Sequence, residues 1–290
     1  MAERDRSVVS VPGLLEMKRR GEKIGMLTAY DYPTARILDR AGADALLVGD
    51  SLGMVVLGHD STVYVTLEDM IHHTRAVVRG AERSLVITDL PFGSYEEGPA
   101  QALRSAVRLV KEGGCTAVKL EGGSEIAASV RAIAAAGVPV VGHVGLTPQS
   151  SASFGGFRVR AKTAQEARDL LQNARALEEA GAFMIVAEAV PAPVGELLSQ
   201  SLTVPVIGIG AGAGCDGQVL VSTDMLGIQE ELTPRYLKRY AALSGEMDRA
   251  VRSYLSEVKG GVFPGEEHVY DMQSGERDEL QRLRGLEGED

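Results

Sequence analysis

Eight short apolar runs, rich in Val, Ile and Leu, alternate with longer segments of helical periodicity along the 290-residue chain. The runs lack the strict polar alternation of a half-exposed sheet, which predicts parallel strands buried on both faces. The predicted strands span 24–29, 44–49, 84–89, 116–121, 138–143, 183–188, 205–209 and 219–222. Eight strands separated by helices favour a single-domain (β/α)8 TIM barrel over residues 1–270, with an open doubly wound sheet as the alternative.

The segments between the strands carry helix start and stop signals. Thr66 and Thr163 are expected N-caps, and several helices end at a glycine, which can adopt the left-handed conformation that closes a helix. The predicted helices span 33–41, 67–79, 100–112, 124–136 and 163–180. Only nine residues, 210–218, separate the seventh and eighth strands. This is too short for a full crossover helix, so either that helix is a stub or the strand boundaries differ.

Two segments fall outside the repeat. Residues 11–20 are expected to form a short helix that covers the bottom of the barrel. Residues 271–290 are mostly charged or polar, which predicts a mobile tail or a frayed helix.

The charge balance and the cysteine count exclude several classes of protein. Thirty basic against forty acidic residues give a net charge of −10, which disfavours nucleic acid and anionic membranes as partners. The two cysteines form no disulfide framework, which favours a reducing, cytoplasmic location. No apolar run is long enough to span a membrane, and the first fifteen residues lack the apolar core of a signal peptide.

Polar residues end five of the predicted strands. They are Asp50, Asp89, Glu121, His143 and Glu188. In a (β/α)8 barrel these ends meet at one mouth, where converging carboxylates raise one another's pKa unless a cation lies among them. Oxygen ligands without thiolates favour Mg²⁺ over Zn²⁺. The alternative for each residue alone is a helix cap or a solvated strand end.

Two further residues have both a functional and a structural interpretation. Lys119 precedes Glu121 by two positions, so both side chains point to the same face of the strand. Lys119 is therefore expected to neutralise a substrate oxygen or, alternatively, to form a structural ion pair. His143 is a possible supporting residue of the site or, alternatively, a hydrogen-bonded core histidine.

The glycine-rich run at 208–214 is not a dinucleotide-binding fingerprint. Within this run the frames that start at Gly208 and Gly210 fail G-x-G-x-x-G, because Ala213 and Cys215 occupy the required positions. The run also comes late in the chain, without the long helix that would receive a pyrophosphate. The run predicts close approach of the backbone at the barrel mouth instead.

Nine stretches of the chain, spread over residues 10–268, closely resemble the ketopantoate hydroxymethyltransferase family. They are TAYDY (28–32), LVGDSLGMVVLGHDST (47–62), DLPF (89–92), VKLEGG (118–123), GHVGLTPQS (142–150), FGGFRV (154–159), PVIGIGAG (205–212), DGQVLV (216–221) and FPGEEH (263–268). The resemblance implies a Mg²⁺-dependent barrel related to phosphoenolpyruvate mutase and isocitrate lyase. It implies transfer of a one-carbon unit from 5,10-methylenetetrahydrofolate to 3-methyl-2-oxobutanoate, giving 2-dehydropantoate for pantothenate and coenzyme A synthesis.

The resemblance also implies roles for individual residues. Asp50, Asp89 and Glu121 resemble the metal-binding carboxylates, and Glu188 resembles the base. The positions that resemble substrate-binding residues are Asp50, Ser51, Asp89 and Lys119. Ser51 is indicated by the resemblance alone. The family further implies a homo-oligomer, with a decamer as the expected form.

Two other functions are weighed against this one. A related Mg²⁺-dependent carbon–carbon lyase or aldolase would share the metal and the enolate but would need no folate. A metabolite-binding barrel without turnover would lack one of the site carboxylates, and none is absent. The folate is expected to enter over two long loops, 57–64 and 145–160.

Overall fold

The described residues of the chain, 7–150, 158–229 and 234–286, form a closed barrel of eight parallel strands in a computed structural model. The strands follow chain order around the barrel, and β1 pairs with both β2 and β8. They are β1 (Ile24–Thr28), β2 (Ala45–Val48), β3 (Leu85–Asp89), β4 (Ala117–Glu121), β5 (Val140–Gly145), β6 (Ala182–Glu188), β7 (Val206–Ile209) and β8 (Gly217–Leu220). The predicted (β/α)8 fold is confirmed, and the open doubly wound sheet is excluded.

Helices connect most of the strands. In the described residues they are α1 (Val11–Arg19), α2 (Tyr32–Ala41), α3 (Leu52–Val55), α4 (Leu67–Gly80), α5 (Pro99–Arg108), α6 (Ala127–Ala135), α7 (Ala164–Glu179), α8 (Ala192–Ser201), α9 (Ser222–Met225), α10 (Leu243–Lys259) and α11 (Glu276–Leu286). A π-helical turn, Leu109–Gly113, continues α5, and a 3₁₀ turn, Ser124–Ile126, precedes α6. The predicted single helices over 100–112 and 124–136 are therefore each two helical segments of different pitch.

The predicted helix signals lie where they were expected. Thr66 accepts from the backbone of Asp69, and the Asp69 carboxylate accepts from the backbone of Thr66, which completes a capping box. Thr163 and Glu166 form the same arrangement at the start of α7. Gly42 closes α2 in the left-handed conformation with φ 95°. These caps satisfy backbone groups that a helix end leaves without partners.

Apolar side chains fill the interior of the barrel from its lower end. Leu14 of α1 is fully buried and belongs to the same cluster as Ile24, Met26 and Leu47 on the inner strand faces. Lys18 of α1 also bonds to Asp216, just before β8, at 2.7 Å. The predicted N-terminal helix therefore covers the bottom of the barrel and leaves the opposite end for chemistry.

The connection between β7 and β8 contains no helix. The strand β8 starts at Gly217, two residues earlier than predicted, so the connection spans only 210–216. Each of the two strands has four residues and rises about 13 Å, which seven extended residues easily cover. The return segment packs directly over β7, since a Cβ on Gly208 would lie 2.9 Å from Cys215 Sγ. The predicted close backbone approach at the glycine run is confirmed.

The chain divides into two compact units, with the boundary after Ala241. The barrel lies in the first unit. The second unit contains α10, which the sequence patterns did not predict, and α11, which occupies part of the tail predicted over 271–290. Residues 287–290 lie outside the described residues. None of the described helices combines the length and the apolar content needed to cross a membrane.

Candidate active site

A cavity of about 1480 Å³ opens at the carboxyl ends of the strands. All seven residues selected from the sequence line it, namely Asp50, Ser51, Asp89, Lys119, Glu121, His143 and Glu188. Ligand pockets commonly measure about 300–1,000 Å³, so this cavity has room for more than one small molecule. Its β2–β5 side carries Asp50, Asp89, Lys119, Glu121 and His143. Its β6–β8 side is mainly apolar, with Glu188, Asp224, Gln229, Arg235 and Tyr236 as the polar exceptions.

Asp50 and Asp89 lie next to each other at the ends of β2 and β3. The backbone N–H of Asp50 donates to Asp89 Oδ2 at 3.1 Å, and both side chains are buried. Burial raises the pKa of Asp50 well above its usual value, and the charges of Asp89 and Glu121 raise it further. Burial and the Glu121 charge also raise the pKa of Asp89, against the opposing effect of Lys119. Burial and the neighbouring acids therefore outweigh the positive charge of Lys119 at both carboxylates.

Lys119 lies in the middle of the acidic cluster. Its Nζ is 3.1 Å from Asp89 Oδ1 and 4.0 Å from Glu121 Oε1. Burial lowers the pKa of Lys119, but the charges of Asp89, Glu121 and Asp50 raise it above its usual value. Lys119 is therefore a cation. It forms an ion pair with Asp89 and also lines the cavity, so both interpretations of this residue apply.

His143 joins two carboxylates on different strands. Its Nδ1 is 3.3 Å from Glu121 Oε1, and its Nε2 is 3.2 Å from Glu188 Oε2. Burial and Lys119 lower the pKa of His143, but Glu121 and Glu188 outweigh them and raise it to about 9. The ring therefore holds a proton more tightly than a free histidine, although its Nδ1 also lies 3.1 Å from Lys119 Nζ. It belongs to the site network and is also a buried, hydrogen-bonded histidine.

Glu121 has a different environment from the other two buried carboxylates. Burial raises its pKa, but His143, Lys119 and the backbone N–H of Gln149 lower it more, so that the net shift is downward. The Gln149 N–H donates to Glu121 Oε2 at 3.0 Å. Both oxygens of Glu121 consequently face positive or donating groups.

Glu188 is the most accessible acid of the cluster. Its side chain is 13% exposed, compared with 2% for Glu121, and it lines the cavity. Ala189, the next residue, has a positive φ of 49°, a strained conformation for alanine. A Cβ on Gly145, which has φ 97°, would collide with the backbone oxygen of Glu188. The glycine therefore lets β5 approach β6 closely at the level of Glu188.

Ser51 lies beside the acidic cluster at the start of α3. Its Oγ is 2.8 Å from the hydroxyl of Tyr30, which follows β1. Ser51 lines the cavity next to Asp50. Strand-end reasoning did not find Ser51, because the residue lies three positions beyond the end of β2 and caps the helix that follows.

Sequence reasoning also missed Gln149 and Tyr95, which are buried in the network. The Gln149 side chain donates to Asp50 Oδ2 at 2.8 Å and accepts from the Tyr95 hydroxyl at 2.6 Å. Gln149 lies four residues after the end of β5, and Tyr95 lies six residues after the end of β3. The GHVGLTPQS stretch contains Gln149 and the DLPF stretch ends three residues before Tyr95, but no periodicity indicates a buried polar role.

The chemistry of the cluster fits a divalent cation. Four carboxylates lie around two basic side chains, Lys119 and His143, so the acidic groups outnumber the basic ones by two. Asp89 Oδ1 is buried beside Lys119 Nζ, at 3.1 Å, and has no further hydrogen bond among the described residues. Oxygen donors of this type suit Mg²⁺.

The described residues nevertheless contain no three His, Cys, Asp or Glu side chains arranged to hold a metal ion. Asp50 and Asp89 are adjacent, whereas the oxygens of Glu121 face His143 and Gln149. Three direct carboxylate ligands to one ion therefore stay a prediction, which requires Glu121 to exchange at least one of these contacts.

Both loops selected for folate entry border the cavity where the structure describes them. Gly58, His59 and Asp60 line it from the loop at 57–64, and Leu146 and Arg158 line it from the loop at 145–160. Residues 151–157, with most of the FGGFRV stretch, lie outside the described residues.

Comparison with known proteins gives a consistent family. A family model described as ketopantoate hydroxymethyltransferase matches residues 8–266. A 3-methyl-2-oxobutanoate hydroxymethyltransferase of Enterococcus faecalis is 54% identical over 257 residues, covering 89% of this chain and 94% of that protein. A protein of the same name from Syntrophus aciditrophicus is 56% identical over 254 residues, covering 88% and 93%.

Solved structures of similar fold include 2,3-dimethylmalate lyase, described as a member of the PEP mutase/isocitrate lyase superfamily. It has a TM-score of 0.57 and 18% identity, with 97% of this chain and 99% of that chain covered. Phosphoenolpyruvate phosphomutase from Streptomyces platensis subsp. rosaceus has a TM-score of 0.57 and 15% identity, with 96% and 99% covered. At these identities the similarity shows the fold alone.

Proposed function

The chain belongs to the ketopantoate hydroxymethyltransferase family, and from this membership we propose that it hydroxymethylates 3-methyl-2-oxobutanoate. The one-carbon donor is 5,10-methylenetetrahydrofolate, and the product is 2-dehydropantoate, a precursor of pantothenate. The observation that carries the proposal is the position of Glu188. This carboxylate faces the cavity at the edge of a buried acidic cluster and is connected to that cluster through His143.

The cluster is suited to hold a 2-oxo acid as its enolate. Asp50 and Asp89, with Glu121 as the predicted third ligand, would hold Mg²⁺, which supplies Lewis acidity toward the keto and carboxylate oxygens of the substrate. Lys119 places a fixed positive charge where negative charge develops on the keto oxygen. The Ser51 hydroxyl is an additional donor on the same wall.

Glu188 acts as the base. Its carboxylate takes the proton from C3 of 3-methyl-2-oxobutanoate, and the electron pair of that C–H bond forms the enolate. His143 holds Glu188 in position through its Nε2. The enolate carbon then attacks the one-carbon unit of the folate, so that the new C–C bond forms as the C–N10 bond breaks and N10 takes a proton from Glu188. Water then replaces N5 on that carbon: its oxygen becomes the hydroxyl group of the product, its proton goes to N5, and tetrahydrofolate leaves.

The size of the cavity supports a second, larger substrate. A five-carbon 2-oxo acid fills a small part of about 1480 Å³. The mainly apolar β6–β8 side, which includes Val190, Ile209 and Tyr236, suits the flat ring system of a folate. In this arrangement Glu188, at the end of β6, lies between the acceptor and the donor.

One experiment separates this function from its alternatives. Deuterium exchange at C3 of 3-methyl-2-oxobutanoate is followed with and without Mg²⁺ and methylenetetrahydrofolate. We expect Mg²⁺-dependent exchange without folate and 2-dehydropantoate formation with folate. Exchange without product would indicate a lyase or aldolase with another electrophile. No exchange would favour a binding protein.

We further propose a cytoplasmic homo-oligomer, with a decamer as the expected form. Both cysteines are free and buried, which suits a reducing compartment. Light scattering of the purified protein measures the assembly directly, and a monomeric mass would contradict it.

A further inference from the structure

Gln149 is buried at the start of the connection between β5 and α7, with 5% of its surface exposed. Its side-chain amide donates to Asp50 Oδ2 at 2.8 Å and to the Leu90 backbone oxygen at 3.0 Å. Its Oε1 accepts from the Tyr95 hydroxyl at 2.6 Å. Both ends of the amide are thus engaged, which fixes its orientation.

The backbone of Gln149 holds a second carboxylate. Its N–H donates to Glu121 Oε2 at 3.0 Å, and the Tyr95 hydroxyl is 3.1 Å from the Glu121 backbone oxygen. Gln149 therefore links the ends of β2 and β4 to the segment that follows β3. A residue that only anchored the loop would not require polar contacts to two site carboxylates.

These contacts also differentiate the two oxygens of Asp50. Oδ2 accepts from the Gln149 amide, while among the described residues no side chain donates to Oδ1. We propose that Gln149 is a positioning residue that holds Asp50 and Glu121 in the geometry for Mg²⁺ binding and directs Oδ1 of Asp50 toward the ion. The inference rests on the proposed function, because the ion belongs to that function.

Removal of the amide has a defined physical consequence. Asp50 Oδ2 and the Tyr95 hydroxyl would remain buried without their partner, and Asp50 would be free to rotate toward Lys119. The pair of adjacent carboxylates would lose its fixed separation. We therefore expect removal of the amide to weaken Mg²⁺ binding by more than any loss of barrel stability would explain.

The test compares Gln149→Met with Gln101→Met. Gln101, in the neighbouring connection after β3, also makes two loop hydrogen bonds, to Gly93 and Glu97, but contacts no site carboxylate. Mg²⁺ binding is measured by calorimetry on the full chain, and thermal unfolding is recorded in parallel. We expect Gln149→Met to raise the Mg²⁺ dissociation constant about tenfold or more, which corresponds to about 1.4 kcal/mol. Gln101→Met should leave it unchanged.

Tyr95→Phe keeps the inference testable if Gln149→Met does not fold. It removes a single hydroxyl and releases one end of the Gln149 amide, so Mg²⁺ binding should weaken by about threefold. For Gln149→Met, deuterium exchange should require a higher Mg²⁺ concentration for half of its maximal rate, in proportion to the raised dissociation constant.

Two negative outcomes have different meanings. Equal Mg²⁺ affinity in Gln149→Met, Tyr95→Phe and the unmodified protein would overturn the positioning role alone. Absence of Mg²⁺ binding by the unmodified protein would overturn the magnesium part of the proposed function and this inference with it.

Discussion

His143 Nε2 lies 3.2 Å from Glu188 Oε2, and the other ring nitrogen lies 3.3 Å from Glu121 Oε1. His143 thus connects the cavity-facing carboxylate of β6 to the buried carboxylate of β4. This contact fixes the orientation of Glu188, which is not one of the predicted metal ligands. A carboxylate that is held in this way but does not bind a metal is suited to accept a proton.

Replacement of the proposed base tests this relationship. Glu188→Gln keeps the shape of the side chain but removes the proton acceptor, so deuterium exchange at C3 should fall by at least about 10³-fold. Mg²⁺ and 2-oxo acid binding, measured by calorimetry, should stay within about threefold, since Asp50, Asp89 and Lys119 are unchanged. Exchange at the unmodified rate would remove Glu188 from the role of base.

Replacement of Asp89 tests the metal site. Asp89→Asn removes one of two adjacent buried carboxylates, and burial and the Glu121 charge raise the pKa of Asp89. The Mg²⁺ dissociation constant should rise by about tenfold or more, as measured by calorimetry. Asp169→Asn on the exposed surface of α7 is the control and should bind Mg²⁺ normally. Unchanged affinity in Asp89→Asn would contradict the assignment of Asp89 as a ligand.

The barrel and the strand-end residues are predictable because they follow from periodicity. A strand places alternate side chains on one face, so Lys119 and Glu121 face the same side once β4 is identified. Gln149 and Tyr95 are not predictable in this way, because loops have no period and their contacts depend on the completed fold. The start of β8 was misplaced for a related reason: Gly217 and Gln218 have no apolar side chain to mark a strand.

The glycine run provides a test of the second substrate site. A Cβ on Gly210, which has φ 65°, would lie 2.7 Å from the Tyr236 ring. Gly210→Ala should therefore displace Tyr236 and raise the KM for methylenetetrahydrofolate about fivefold or more, while C3 exchange without folate persists. Backbone strain alone is expected to cost about 1–2 kcal/mol of stability.

Gly137→Ala is the matched control for this experiment. Gly137 also has a positive φ, 88°, but no atom lies within 4 Å of a Cβ built there. Gly137→Ala should lower the thermal midpoint by about as much as Gly210→Ala does, without changing the KM for the folate. If Gly210→Ala and Gly137→Ala changed the KM for the folate equally, Tyr236 would have no specific role in folate binding.

Asp39 links α2 to the start of β3 and provides a prediction about stability and pH. Its Oδ1 accepts from the backbone N–H of Arg83 at 3.0 Å and from the backbone N–H and hydroxyl of Ser84, each at 2.7 Å. Burial raises the pKa of Asp39, but these hydrogen bonds lower it more, to below its usual value near 3.8. The folded state therefore favours the charged form.

Asp39→Asn should lower the free energy of unfolding by about 1–2 kcal/mol at neutral pH, because hydrogen bonds to a charged acceptor are stronger than those to a neutral one. The carboxylate contribution is complete above the unfolded-state pKa near 3.8 and is lost as the pH falls through the lower folded-state value. Urea unfolding at a series of pH values should consequently show the difference between the two proteins closing in acid. A difference that stays constant with pH would show that Asp39 stabilises the fold by packing and not by its charge.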